Sequence, residues 1–320
     1  MVTGQLAVWL NIITIVILAF VIANLTVSAI VSLLTQKFIS LQVKSRKIVL
    51  WLLVILPWLT SIFVALVFLN GYTSATIFEA ELDYAHWHHM SVFSSLSWHG
   101  ATLIIALIFT LYILVKKLIQ LKRHHQDLAQ LTSFSKPLTR GVFEIELAES
   151  SAFTAGFIDK KCFITSGMLK EMTDEEIAVI LGHERAHAKM NDPLKKWLFS
   201  IFTAFFIPSL AAHLKLHMTL AMEQAADNAV VNNDITSTFV ASTLVKAARL
   251  NALYSPVKNN ELVANFGADV LEQRVYFLLG QLNLKPVNKM LTVVLVIFIL
   301  AVCFSSIDGV HHLIETVLSH

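Results

Sequence analysis

Four stretches of this 320-residue chain are almost purely apolar, at 6–34, 48–69, 98–115 and 290–307. Each meets the roughly 18–20 residues a helix needs to cross a hydrocarbon core about 30 Å thick. Residues 1–36 carry no charged side chain. With no basic flank, and a first run longer than a leader's apolar segment, no cleaved signal peptide is expected. A fifth stretch, 197–214, lacks Lys, Arg, Asp and Glu but is interrupted by Pro208, which cannot donate a helical hydrogen bond.

Between the third and fourth runs the pattern changes. GVFEIEL at 141–147 alternates as a strand does, and 152–158 with 162–165 resemble a hairpin around Asp159-Lys160-Lys161. Thr173 followed by Glu176 fits a capping box at a helix start. The ensuing IAVILGHERAHAKM has helical spacing to about Met190, and Asp192-Pro193 reads as the next helix start.

Charges flanking the runs orient them. Lys37, Lys44, Arg46 and Lys47 separate the first two; Glu79, Glu81 and Asp83 separate the second and third; Lys116, Lys117, Lys122 and Arg123 follow the third. Lys285 and Lys289 precede the last run, and Asp308 and Glu315 follow it. Basic loops stay inside, so both termini are predicted outside and 116–289 inside. The expected organisation is an N-terminal membrane region with three transmembrane helices at 1–121, a cytoplasm-facing domain at 122–289, a transmembrane helix at 290–307 and a short outside tail at 308–320.

Composition agrees: 14% of residues are charged and mean hydropathy is +0.68, against roughly 25% charged in soluble domains. An all-soluble enzyme is excluded. Net charge is +2, with no nucleic-acid signature. Cys162 and Cys303 lie far apart and outside any CxxC pattern, so neither a disulfide framework nor a cysteine zinc site is expected.

The chemistry sits in the inside block. His183-Glu184-Arg185-Ala186-His187 is an H-E-x-x-H pattern. Residues four apart share a helix face, so both imidazoles can reach one Zn2+ at about 2.0–2.1 Å. Glu184 then projects where it can take a proton from zinc-bound water. The 13 His and 13 Glu of the chain would produce this pattern by chance roughly 0.02 times. Catalytic zinc takes three protein ligands and keeps one position open. Glu223, in MEQAAD, is predicted as the third ligand, with Asp227 one turn along, where it could accept a ligating histidine's ring N–H.

AFTAGFIDKKCFITSGMLKEMTDEEIAVILGHERAHAKMND together with EQAAD resembles the membrane metallopeptidases of the β-lactam-sensing transducer type, which cleave an antirepressor. It is also similar to the related HtpX-like and CAAX-prenyl-protease-like family. Arg274 and the apolar residues after it fit the transducer pattern, so the likeness spans most of 116–307. It implies a mostly α, multi-span membrane protein with a zincin-type α+β metallopeptidase domain. Its implied residues are His183, His187 and Glu223 for one Zn2+ per chain, Glu184 as catalytic base, and Asp227, Asp192 and Arg274 in support; a role for Arg274 against developing oxyanion charge is a separate mechanistic expectation. It points to a bacterial inner membrane with the active site facing the cytoplasm. The transducers continue into an extracellular penicillin-binding sensor, whereas this sequence ends about a dozen residues after its last run; no built-in β-lactam sensor is expected.

One parity argument sharpens the architecture. If 197–214 crossed once, the two histidines and Glu223 would lie on opposite leaflets, which bond lengths near 2 Å forbid. A re-entrant or interfacial hairpin near 197–222 is therefore expected. His213 and His217 are also four apart but lack an intervening Glu and read as structural. His86, His88 and His89 cluster with Asp83 in the outside loop, where a solvated loop is favoured over metal or pH sensing. The expected function is endoproteolysis of cytoplasmic or membrane proteins, in signalling or quality control. The alternative is a membrane signalling or scaffold protein whose zinc is structural. Expected partners are a protein or peptide substrate, the lipid bilayer, and a second copy or a separate sensor protein, with no nucleic acid.

Overall fold

The computed structural model describes residues 1–74, 90–254 and 261–318. The outside histidine cluster at 86–89, with Asp83, lies outside the described residues. Two long helices, α1 (Gln5–Leu34) and α2 (Val43–Ser74), form an antiparallel pair. Ala19, Ala23 and Val27 of α1 are fully buried in the apolar core that α1 shares with α2 and α10. Helices α3 (Trp98–Phe134) and α10 (Lys289–Leu318) pack beside them. Among the described residues these four are long and apolar enough to cross a membrane; the chain is a membrane protein. At one end, strand β1 (Val2–Thr3) pairs with β2 (Val92–Phe93), and Asn11 donates to the carbonyls of Met90 and Val92 at 3.0 and 3.1 Å. Asn11, one of two asparagines in the first apolar run, thus ties that end of α1 to the β2 segment. At the other end, Leu41 bridges Lys285 and clamps the α1–α2 turn to the segment entering α10.

Two helices run further than their apolar segments. α3 continues through Lys116–Phe134 without Gly or Pro, across the domain boundary expected after 121, and feeds directly into the sheet. Lys, Gln, Leu and Arg there are all good helix formers. α10 likewise continues through the expected tail to Leu318.

The sheet has order β3-β4-β6-β5, with β3 (Ser135–Thr139), β4 (Val142–Ile145), β5 (Ala152–Ala155) and β6 (Lys161–Thr165). β4 and β6 are parallel in the middle, and β5 pairs antiparallel to β6 as the predicted hairpin. β5 is thereby an edge strand. Gly156, at φ +98°, makes the turn after it; a Cβ there would fall 2.2 Å from the carbonyl oxygen of Asp159, so only glycine fits. β3 carries Pro137 and a register shift, as edge strands do.

Six helices complete the domain: α4 (Ser166–Glu171), α5 (Asp174–Met190), α6 (Asp192–Phe202), α7 (Pro208–Val230), α8 (Ser237–Tyr254) and α9 (Glu261–Leu278), with α6 running from α5 toward the long helices. The predicted capping box is present: Glu176 N–H donates to Thr173 Oγ1 at 3.3 Å and Thr173 N–H to Glu176 Oε2 at 2.8 Å. α5 packs on α7 and α8 through Val179, Val230, Val240 and Leu244. Asn191, left-handed at φ 58°, ends α5 and turns the chain at once into α6.

α6, a 3-10 turn at Thr203–Phe205 and α7 form a helical hairpin. Its tip ring, Phe205, lies 5.8 Å from Phe20, 4.9 Å from Trp58 and 5.9 Å from Phe109. Phe20 and Trp58 sit halfway along α1 and α2. Leu210, Ala211, Leu214, Met218 and Met222 of α7 belong to the same apolar core as α1 and α2.

Candidate metal centre and active-site groove

α5 brings His183, Glu184 and His187 to its buried face, each under one-tenth exposed. α7 crosses that face and adds Glu223. Nε2 of His183 and Nε2 of His187 are 3.0 Å apart, and Glu223 Oε2 lies 3.3 and 3.5 Å from them. Among the described residues this is the cluster of three His, Cys, Asp or Glu donors that could share an ion. Donors around tetrahedral zinc stand about 3.3 Å apart for bonds near 2.05 Å. The three observed separations, 3.0, 3.3 and 3.5 Å, bracket that spacing.

The ring nitrogens facing away are also engaged. His183 Nδ1 lies 2.9 Å from Asp227 Oδ1, and His187 Nδ1 lies 2.8 Å from Asp192 Oδ2. Both carboxylates are buried. At His187 an Nδ1 proton directed at Asp192 leaves the Nε2 lone pair for a metal and fixes the ring orientation, and the Asp227 carboxylate lies close to Nδ1 of His183 without a hydrogen bond between them. The residues present therefore fit a zinc ion. Asp192, five residues beyond His187, returns to its ring because left-handed Asn191 reverses the chain between them.

The site lies in a groove of about 490 Å3. Residues 150–154, on and just before edge strand β5, form one wall; Leu244, Ala247, Val270 and Leu271 of α8 and α9 form an apolar one; Glu184, Lys196 and Arg274 reach into it. The match that places this constellation among known proteins runs over residues 116–278, which correspond to Peptidase family M48. The chain belongs to Peptidase family M48. It is also 34% identical over 74 residues to a Protease HtpX homolog from Methanothermobacter thermautotrophicus, an alignment covering 23% of this chain and 28% of that relative. The chain thus aligns with under a third of the curated relative's length.

The M48 segment holds every site residue named above, from the strands to Arg274, whereas α10 lies beyond it. Arg274 is placed where spacing alone could not put it. Its Nε and Nη2 donate to Asp227 at 2.8 and 2.7 Å, and Nη1 is 3.4 Å from Glu223 Oε2. All three of its guanidinium nitrogens thus face carboxylates.

Charge follows from these contacts. Burial opposes ionisation of Glu223, yet both imidazoles and Arg274 hold its carboxyl well below the usual carboxylate range. Asp227 is lowered against the same burial by Arg274 and His183. Burial would lower both imidazoles, but Asp227 and Glu223 raise His183, and Asp192, Glu223 and Glu184 push His187 up to about 9. The cluster is built to stabilise positive charge at its centre.

Two groove residues escaped the sequence reading. Thr154 Oγ1, on β5, is 2.8 Å from both the carbonyl oxygen and Oε2 of Glu184. Lys196 Nζ is 3.3 Å from Glu223 Oε1. Thr154 was visible only as the polar residue of an apolar strand. Lys196 stands four residues after Asp192, hence on the same face of α6. His213 and His217 approach to 2.9 Å through their Nε2 atoms, beside Phe38, and among the described residues no third donor joins them.

Proposed function

We propose that this M48 protein is a membrane-embedded zinc-dependent endopeptidase that cleaves cytoplasmic or membrane proteins at the bilayer surface. The observation carrying this reading is the convergence of His183, His187 and Glu223 on one point, in a groove that also contains the Glu184 carboxylate. Zinc held there would supply a Lewis acid that acidifies water and polarises a scissile carbonyl.

The protein's own groups do the rest. Glu184 takes the proton of the attacking water and later delivers it to the leaving amine. Thr154 fixes one oxygen of that carboxylate by hydrogen bonding, so the other takes up the proton. Asp227 and Asp192 keep the two imidazoles aimed, and Arg274 compensates the buried acids. The substrate lies extended along the outer edge of β5, adding main-chain hydrogen bonds to a strand whose other side is already paired.

The α6–α7 hairpin enters the bilayer from the groove's side and turns near mid-depth. Support comes from Phe205 among residues halfway along α1 and α2. The positive-inside pattern makes that side the cytoplasm, and the likeness to antirepressor-cleaving transducers makes signalling one setting for the activity.

The test is cleavage of a casein-like or self substrate by detergent-purified protein, with and without Glu184→Gln. Zinc retained at one ion per chain with cleavage abolished is the expected result. Undiminished cleavage by Glu184→Gln would sink the reading. The same variant serves as a trap for natural substrates.

A further inference from the structure

The two oxygens of Glu223 have different partners. Oε2 faces the histidine pair at 3.3 and 3.5 Å and Arg274 Nη1 at 3.4 Å, while Oε1 is turned to Lys196 Nζ at 3.3 Å. Lys196 comes from a different helix, α6, and its side chain is 40% exposed to the groove while that of Glu223 is 16% exposed. A carboxylate can give a metal one oxygen or both. Giving both would raise the coordination number and crowd the position that a catalytic zinc site must leave open for water and the substrate carbonyl.

We propose that Lys196 is a positioning residue that holds Glu223 in a one-oxygen binding mode and so keeps the fourth coordination position open. The ammonium engages Oε1 as a point charge, and rotation of Oε1 toward the histidines would break that contact. Arg274 cannot substitute, because Nε and Nη2 are committed to Asp227 and Nη1 approaches Oε2. Nor does the lysine gate folding: it sits at the groove surface rather than in the core. Asp192 and Lys196 thereby give α6 two duties one turn apart, the first toward His187 and the second toward Glu223.

This inference rests on the zinc-site reading, and its test separates the two. Full-length protein in detergent is stripped and reloaded with Co2+ alone, and the visible d–d absorption is recorded with metal stoichiometry for wild type, Lys196→Met and Lys196→Arg. Lys196→Met should still bind one ion per chain, but the strong bands of low-coordinate cobalt should weaken as the second oxygen enters. Its kcat should fall about 10- to 100-fold, the usual effect of losing an outer partner of a ligand, with KM little changed. Lys196→Arg, which can still reach Oε1, should restore the spectrum and most of kcat. An unchanged cobalt spectrum in Lys196→Met overturns the proposal, whatever the activity, as does a loss confined to KM. Wild type that shows the cobalt bands yet cuts nothing would defeat the protease reading and leave the spectral comparison intact.

Discussion

Asp227 is the junction of the site, and Asp227→Asn tests how its charge is used. The carboxylate meets three nitrogens: His183 Nδ1 at 2.9 Å and Arg274 Nε and Nη2 at 2.8 and 2.7 Å. Asparagine keeps the volume but offers one acceptor oxygen to the three, and its NH2 must face a donor. Removing one partner of a buried ion pair costs about 3–5 kcal/mol. Glu223, 3.4 Å from Arg274 Nη1, retains part of the compensation, which favours the lower end, about 3 kcal/mol. At about 2–4 °C per kcal/mol for a domain of this size, the unfolding midpoint should drop by about 6–12 °C. Zinc affinity should fall about 10- to 100-fold as the His183 ring loses its anchor. The assay is a double-mutant cycle with Arg274→Met, using thermal unfolding of chelator-treated protein and zinc competition against a chelator. Because Asp227→Asn leaves the guanidinium stranded and Arg274→Met removes it, the double variant should be no less stable than Asp227→Asn alone. Stability effects that add within about 0.5 kcal/mol would refute the coupling.

Two further outcomes follow from the same geometry. Thr154→Val deletes the hydroxyl that touches the Glu184 carboxylate; a hydrogen bond to a charged group contributes about 1.5–3 kcal/mol, so kcat should fall roughly 10- to 100-fold while metal analysis still finds one zinc per chain. Zinc affinity should climb with pH, about tenfold per pH unit for each proton displaced, and level off as pH passes the His187 value of about 9; isothermal titration across pH 6–10 would show it. The sign for metal-free protein is opposite. A histidine raised above its ordinary 6.5 stabilises the fold fully below that value, and the contribution is lost as pH rises through about 9.

What the chain disclosed in advance was local in sequence. The His183–His187 pair, the Thr173–Glu176 box and the Glu223–Asp227 pair all depend on one-turn spacing along a helix, which geometry fixes without tertiary knowledge. β4 showed itself through its alternation, and the β5–β6 hairpin as two apolar segments around Asp159-Lys160-Lys161. β3 did not, because SKPLT has neither alternation nor apolar weight and is held by its pairing with β4. Arg274, Thr154 and Lys196 act across 47, 30 and 27 residues of chain, and no period links such separations. Asp192 was readable as an acid after the zinc helix, but its bond to His187 depends on a left-handed asparagine, which a sequence pattern does not specify.

Met222 and Glu223 are adjacent on α7, yet the first belongs to the apolar core shared with α1 and α2 and the second faces the histidines. The helix that carries Glu223 therefore owes its position to the long apolar helices. Removing residues 1–115 to obtain a water-soluble enzyme would uncover Leu210, Leu214, Met218 and Met222 together, a contiguous greasy seam of the kind that drives aggregation. The peptidase is thus not a soluble domain tethered by anchors. Detergents that loosen the contact between α2 and α7 should inactivate the protein before they unfold its sheet.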